Sequence, residues 1–199
     1  MSPWLEIIMP VRNPGAKLLE TGASLAAQSE RGFGVVVSDN FSTGGSEILE
    51  QFCGAMRAAE IPVRRVKPDY ELGRVQHWNW AHGQGAADWL KPLFVGDLLK
   101  PDYVKSHRQR IEARPPAQIV RCEFEIHAAG KIQAAAPAPV TQDSLAPAEF
   151  LNYFPALGNW LGGPINFMTR AEAITSNDAM LRASARPWAL WRKRALAER

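Results

Sequence analysis

The sequence predicts an α/β fold with a mainly parallel central sheet and helices on both faces. Three observations carry that expectation. Short apolar, β-branched runs alternate with helical patterns over roughly the first 115 residues. The run Gly34-Val35-Val36-Val37-Ser38 is continuously apolar, as in a strand buried on both sides. That run then stops abruptly in Asp39-Asn40-Phe41-Ser42-Thr43-Gly44-Gly45-Ser46, and open α/β sheets bind ligands where strands end at their carboxyl edge.

Each element follows from its own pattern. Leu5 to Val11 is an apolar run closed by the turn signal Arg12-Asn13-Pro14-Gly15. Ala16 to Gln28 reads as a helix, with Leu18 and Leu25 on one face. Ser46 is placed to cap the next helix, with Glu47 in its first turn and Ile48, Phe52 and Met56 at helical spacing. Ile61 to Lys67 is a third strand, Gly73 to Ala87 a helix, and Trp89 to Val95 a fourth strand despite Pro92. Pro101 suits the first turn of a helix running to about Arg114. Val120, Cys122, Phe124 and Ile126 alternate with polar residues, which predicts one strand with a wet face, antiparallel or at an edge. Ala128 to Pro147 is rich in Ala and Pro and reads as a surface excursion, followed by a short helix around Ala148 to Phe154.

A chain of 199 residues, 46% hydrophobic, is sized for one substantial core. The expected organisation is a single domain over residues 1–181, divided near 115/116 into two halves, with a basic tail over 182–199. That tail carries +5 of a net +3, so the rest of the chain sums to −2. A nucleic-acid-binding face is basic where the fold is, so no nucleic-acid partner is expected. No stretch has the apolar length of a membrane span, and the N-terminus lacks signal-peptide blocks. Cys53 and Cys122 match no metal-ligand spacing and read as two buried reduced thiols of a cytoplasmic protein.

Asp39 and Asn40 can hydrogen-bond a base or ribose at the sheet edge, or equally well cap a turn. Gly44 and Gly45 would let the backbone approach a ligand closely. Asp97 ends the run Leu93-Phe94-Val95 and precedes Pro101. A carboxylate there can hold a hard cation, or cap the following helix. In Val75-Gln76-His77-Trp78-Asn79-Trp80 core packing is the first reading. His77 and His82 are five apart, which is not the spacing of a helical zinc pair.

Taken in order, these pieces resemble glycosyltransferase family 2, the inverting nucleotide-sugar transferases of GT-A fold. Ile7-Ile8-Met9-Pro10-Val11-Arg12-Asn13 looks like the family's first strand, which commonly has Tyr where Arg12 stands. Ser24-Leu25-Ala26-Ala27-Gln28 resembles its first-helix motif, and Val37 to Thr43 its nucleotide-contacting strand end. Gly73 to Asn79, then Asp88-Trp89-Leu90, resembles the approach to the metal strand. Gly96-Asp97-Leu98-Leu99-Lys100-Pro101 looks like the DxD region, and Gly162-Gly163-Pro164 the small-residue stretch before the acceptor site.

By this resemblance Pro10, Val11, Arg12, Asp39 and Asn40 border the nucleoside of a donor, UDP-linked most often. Asp97 is the metal and diphosphate ligand, with Mg²⁺ or Mn²⁺ as cofactor. The acceptor is a sugar, lipid or protein hydroxyl, within cell-envelope polysaccharide chemistry. The departures are specific. Gly44 stands where the family usually has Asp, and Gly96 where a DxD carboxylate is expected. The family's base lies after the small-residue stretch, and here Asp178 is the one acid between Glu172 and Glu198. The resemblance therefore implies a C-terminally truncated member, an active transferase or a non-catalytic nucleotide-sugar-binding remnant. A nucleotidyltransferase is a third reading, for which Asn13-Pro14-Gly15-Ala16-Lys17 is a poor phosphate loop. The tail Arg186-Pro187-Trp188-Ala189-Leu190-Trp191-Arg192-Lys193-Arg194 can lie on the inner face of an anionic membrane, or simply be a solvated terminus.

Overall fold

The computed structural model describes residues 3–115, 117–128, 131–134, 144–145 and 166–175. Strand β1 (Leu5–Val11) is central. It pairs in parallel with β2 (Phe33–Asp39) on one side and β4 (Trp89–Pro92) on the other. Strand β3 (Val63–Val66) adds in parallel to β2. Beyond β4 the direction reverses: β8 (Phe167–Arg170) runs antiparallel to β4, and β5 (Ile119–Arg121) antiparallel to β8 at the edge. The order β3-β2-β1-β4-β8-β5 makes a six-stranded mixed sheet.

Odd and even strand positions explain the layers, because side chains alternate across a sheet. Leu5, Ile7, Met9 and Val11 of β1, with Phe33, Val35 and Val37 of β2, pack into the larger cluster. That cluster also holds Leu18 and Leu25 of α1 (Lys17–Ala26) and Leu49, Phe52 and Met56 of α2 (Ser46–Ala58). Val104 of α4 (Tyr103–Ala113) joins it. Ile8 and Val36 face the other way, onto Ala81 of α3 (Arg74–His82). Helices therefore cover both faces, and the valine run is buried throughout, as its composition demands.

Two polar side chains fasten the layers. Gln28, at the end of α1, donates to the Ser24 and Lys100 carbonyls and accepts from the Val104 amide, tying α1 to the start of α4. Glu6 is 7% exposed inside β1; it accepts from the Ala86 and Ala87 amides and pairs with Arg64. Buried acids of this kind need such donors.

Several boundaries differ from expectation for local reasons. Helix α2 has no side-chain cap: Ser46 is its first residue, and Gly45 precedes it in a left-handed conformation. Strand β4 stops at Pro92, which has no N–H for the ladder, and α3 ends at His82, well short of Ala87. Helix α4 begins at Tyr103, after Pro101. The alternating segment from Val120 to His127 is two strands, not one. β5 is the antiparallel edge strand expected, but after Arg121 the chain departs and β6 (Glu125–Ala128) forms a separate hairpin with β7 (Lys131–Ala134). Strand β7 thus lies within what reads as an irregular excursion. A short helix, α5 (Ala171–Thr175), follows β8. The two cysteines form no disulfide; Cys53 is buried and Cys122 half-buried. The helix expected at 148–154, the Gly162-Gly163-Pro164 stretch, Asp178 and the basic tail lie outside the described residues.

Candidate functional site at the carboxyl edge of the sheet

Strands β1 and β2 end together. Val11 pairs with Asp39, and the Asn40 amide donates to the Val11 carbonyl at 3.0 Å. Beyond this point both chains turn away, and a cleft of about 530 Å³ opens. Pro10 and Val11 line it from the end of β1, Arg12 from just after it, and Asn40 from just after β2. Glu71, Leu72, Gly73 and Arg74 line it from the segment entering α3, with His77 and Trp78 one turn further on. Four of the residues singled out from the sequence, Pro10, Val11, Arg12 and Asn40, thus share one cavity wall.

Asn40 does not reach out with its amide. The side chain is buried, its Nδ2 donates to the Leu72 carbonyl at 2.7 Å, and its Oδ1 accepts from the Leu72 amide at 2.9 Å. It acts as a strand partner for Leu72 and fixes the opposite wall of the cleft. Across the mouth, Arg12 Nη1 pairs with Glu71 Oε1 at 2.5 Å. The Arg74 guanidinium lies 5.6 Å from the Trp78 ring centroid, a cation–π distance. Behind the wall His77 Nε2 is 2.7 Å from Ser38 Oγ, both buried. Burial lowers the His77 pKa, against the pull of Asp39 and a Ser38 hydrogen bond, so the imidazole is neutral near pH 7.

Asp39 is turned to its own loop. Its Oδ1 accepts from the Ser42 amide at 3.1 Å and from Ser42 Oγ at 2.5 Å, and it does not line the cleft. This is the turn-forming alternative open to an aspartate at a strand end. The next loop is held by Asn13, whose Oδ1 accepts from the Thr43 and Gly44 amides at 2.7 and 3.1 Å. Neither glycine is in the lining of the cleft. Gly44 stands in open space. Gly45, at φ +78°, lies where a Cβ would be 2.3 Å from the Pro14 carbonyl oxygen, so it admits a neighbouring backbone.

Asp97 closes a tight turn after β4. Its amide donates to the Phe94 carbonyl at 3.0 Å, and its Oδ2 accepts from the Phe94 amide at 3.3 Å. Burial raises its pKa, while the Phe94 hydrogen bond and the buried Lys91 ammonium hold it back. The turn abuts the cleft through aromatic contact: the Phe94 and Trp78 centroids are 4.7 Å apart. Asp97 itself is not part of the lining. Gly96 has φ +94°, and a Cβ there would meet Lys17 Cδ at 3.3 Å, so this backbone disfavours the carboxylate expected at the position. Among the described residues no three His, Cys, Asp or Glu side chains are grouped to hold a metal ion. Magnesium needs less than that, since it commonly binds through one or two carboxylates plus substrate phosphates. Asp97 offers one such carboxylate, standing outside the lining of the cleft with Oδ2 engaged by the Phe94 amide.

The residues missed in the sequence are those entering α3. Glu71, Leu72 and Arg74 come some thirty positions after Asn40 and carry no local pattern. The one available signal was Asn40 itself, a buried amide that requires a backbone partner.

No protein-family model matches the chain, and no curated protein sequence does either. Solved structures do match in fold. S. aureus TarS superposes with a TM-score of 0.68 at 18% identity, over 87% of this chain and 29% of that one. TarS 1–349 in complex with UDP-GlcNAc gives 0.66 at 16% identity, over 87% and 47%. The mannosyltransferase PcManGT from Pyrobaculum calidifontis, in complex with GDP-Man and Mn²⁺, gives 0.53 at 18% identity, over 61% and 36%. The chain spans less than half the length of each of these structures. A mostly parallel sheet in this order, clothed by helices on both faces and shared with these proteins, is an α/β fold of the GT-A glycosyltransferase type.

Proposed function

We propose that this chain is an inverting, family 2 glycosyltransferase that moves a sugar from a nucleotide-diphosphate sugar to a hydroxyl acceptor, with residues 1–181 as one domain. The observation that carries the reading is the cleft where β1 and β2 end together in a GT-A sheet. Structural neighbours hold UDP-GlcNAc and GDP-Man, which supports a nucleotide-diphosphate sugar as donor; UDP is the base we favour. Pro10, Val11 and Arg12 would border the nucleotide, Arg12 on its phosphate side, while Asn40 in the wall and Asp39 outside it keep the two loops in place. Trp78 offers an aromatic face and Arg74 a positive charge on the far wall.

Asp97 would hold Mg²⁺ or Mn²⁺, and a Mn²⁺-bound neighbour supports that cofactor. Such an ion supplies charge stabilisation to the diphosphate leaving group. The protein's own part is to seat and orient the donor. The acceptor hydroxyl, from a sugar, lipid or protein, needs a carboxylate base. Asp178 remains the proposed source, and the basic tail the proposed peripheral contact with the inner membrane face of a cytoplasmic protein. Among the described residues no helix is long and apolar enough to cross a membrane.

A second reading, a nucleotide-sugar-binding remnant without turnover, is favoured by Gly96, whose backbone selects against a second carboxylate. Titration of UDP- and GDP-sugars with Mn²⁺, followed by a donor-hydrolysis assay, separates the two. Release of nucleoside diphosphate that Asp97→Ala abolishes is the expected result. Metal-dependent binding without release supports the remnant, and no binding of either nucleotide sinks both.

A further inference from the structure

We propose that Glu71 is a built-in competitor for the anionic group of the ligand, displaced from Arg12 when a nucleotide phosphate binds. The inference rests on the nucleotide-binding reading above and extends it to one residue. Among the described residues lining the cleft, Arg12 and Arg74 carry positive charge and Glu71 alone carries negative charge. Glu71 already sits on Arg12 at 2.5 Å. A guanidinium fork receives phosphate oxygens in the same geometry as carboxylate oxygens, so the two anions compete for one partner.

The pair is arranged to be exchanged. Its side chains are 48% and 52% exposed, so neither is locked by packing. Exposed pairs of this kind add little to stability, which makes opening cheap. Yet the carboxylate cannot drift away, because its neighbour Leu72 is held at both backbone groups by Asn40. Glu71 therefore stays at high local concentration beside Arg12 and returns when the ligand leaves. A diphosphate, with more charge than one carboxylate, wins at sufficient concentration. The cost is a weaker apparent affinity for every phosphate-bearing ligand.

The test is calorimetric titration of UDP, inorganic pyrophosphate and uridine at one fixed Mg²⁺ concentration and low salt. Wild type, Glu71→Gln, Arg12→Gln and the double variant are compared. Glu71→Gln should tighten UDP and pyrophosphate about three- to fivefold and leave uridine unchanged. In the Arg12→Gln background the same change should do nothing. The proposal is overturned if Glu71→Gln leaves UDP affinity unchanged or weakens it, if uridine tightens equally, or if the gain persists without Arg12. UDP binding with an inert Glu71→Gln removes this inference alone, whereas a wild type that binds no UDP removes the nucleotide reading with it.

Discussion

The loops leaving β1 and β2 and the turn leaving β4 both hold irregular backbone at one sheet edge, by different chemistry. At β1 and β2 the fasteners are largely neutral amides: Asn13 holds the Thr43 and Gly44 amides, and Asn40 holds Leu72. Around β4 the buried groups are ionisable. Burial lowers Lys91 to about 8 and His107 to about 4, and raises Asp97, Tyr103 and Cys122. An amide pair does not respond to proton concentration, whereas a buried imidazole or carboxyl does. The loops after β1 and β2 are thus held mainly by groups that do not titrate, with buried His77 the exception, whereas the surroundings of β4 are rich in buried groups that do.

Four changes sharpen or break this contrast, in falling order of effect. Gly45→Ala drives a Cβ into the Pro14 carbonyl at positive φ and should cost about 3 kcal/mol in chemical denaturation. Gly44→Ala, in open space, is its control and should stay within about 0.5 kcal/mol. Asn40→Ala strands the Leu72 amide and carbonyl and should cost about 2 kcal/mol, without changing the pH dependence of stability.

The third change concerns His107. Its Nδ1 lies 2.9 Å from the Tyr103 carbonyl, so the proton sits on Nδ1, and the buried Nε2 has no partner among the described residues. With a folded pKa of about 4 against an ordinary 6.5, the unfolded chain takes up a proton first. Stability is therefore full above pH 6.5 and is lost as pH falls toward 4. His107→Phe keeps the stack on Tyr103 and should flatten that slope by about one proton, about 1.4 kcal/mol per pH unit. An unchanged slope would break the contrast. The fourth change, Asp39→Asn, retains an oxygen for Ser42 and should cost under about 1 kcal/mol by thermal melting.

The parallel core was legible because its strands are buried on both faces. The bounds of β1 follow from its apolar run, and the valines of β2 leave no other environment for that segment. Legibility faded where a partner distant in sequence decides the outcome. The alternation from Val120 to His127 is genuine, but pairing with β8 ends at Arg121, so one pattern became two strands. Glu6 is a buried anchor that no local pattern reveals, because its donors, Ala86 and Ala87, lie about eighty positions away. At the site, the β1 side of the cleft could be anticipated from where an apolar run stops. The wall entering α3 could not, since Glu71, Leu72 and Arg74 gain meaning only from what faces them.

Gly96 has a consequence for any side chain placed in this turn. With the backbone at φ +94° and the Lys17 side chain 3.3 Å from where a Cβ would stand, an aspartate there is strained by its own backbone and needs Lys17 to give way slightly. Extra negative charge at this corner would therefore carry a standing conformational penalty, whatever it gained by attracting a cation.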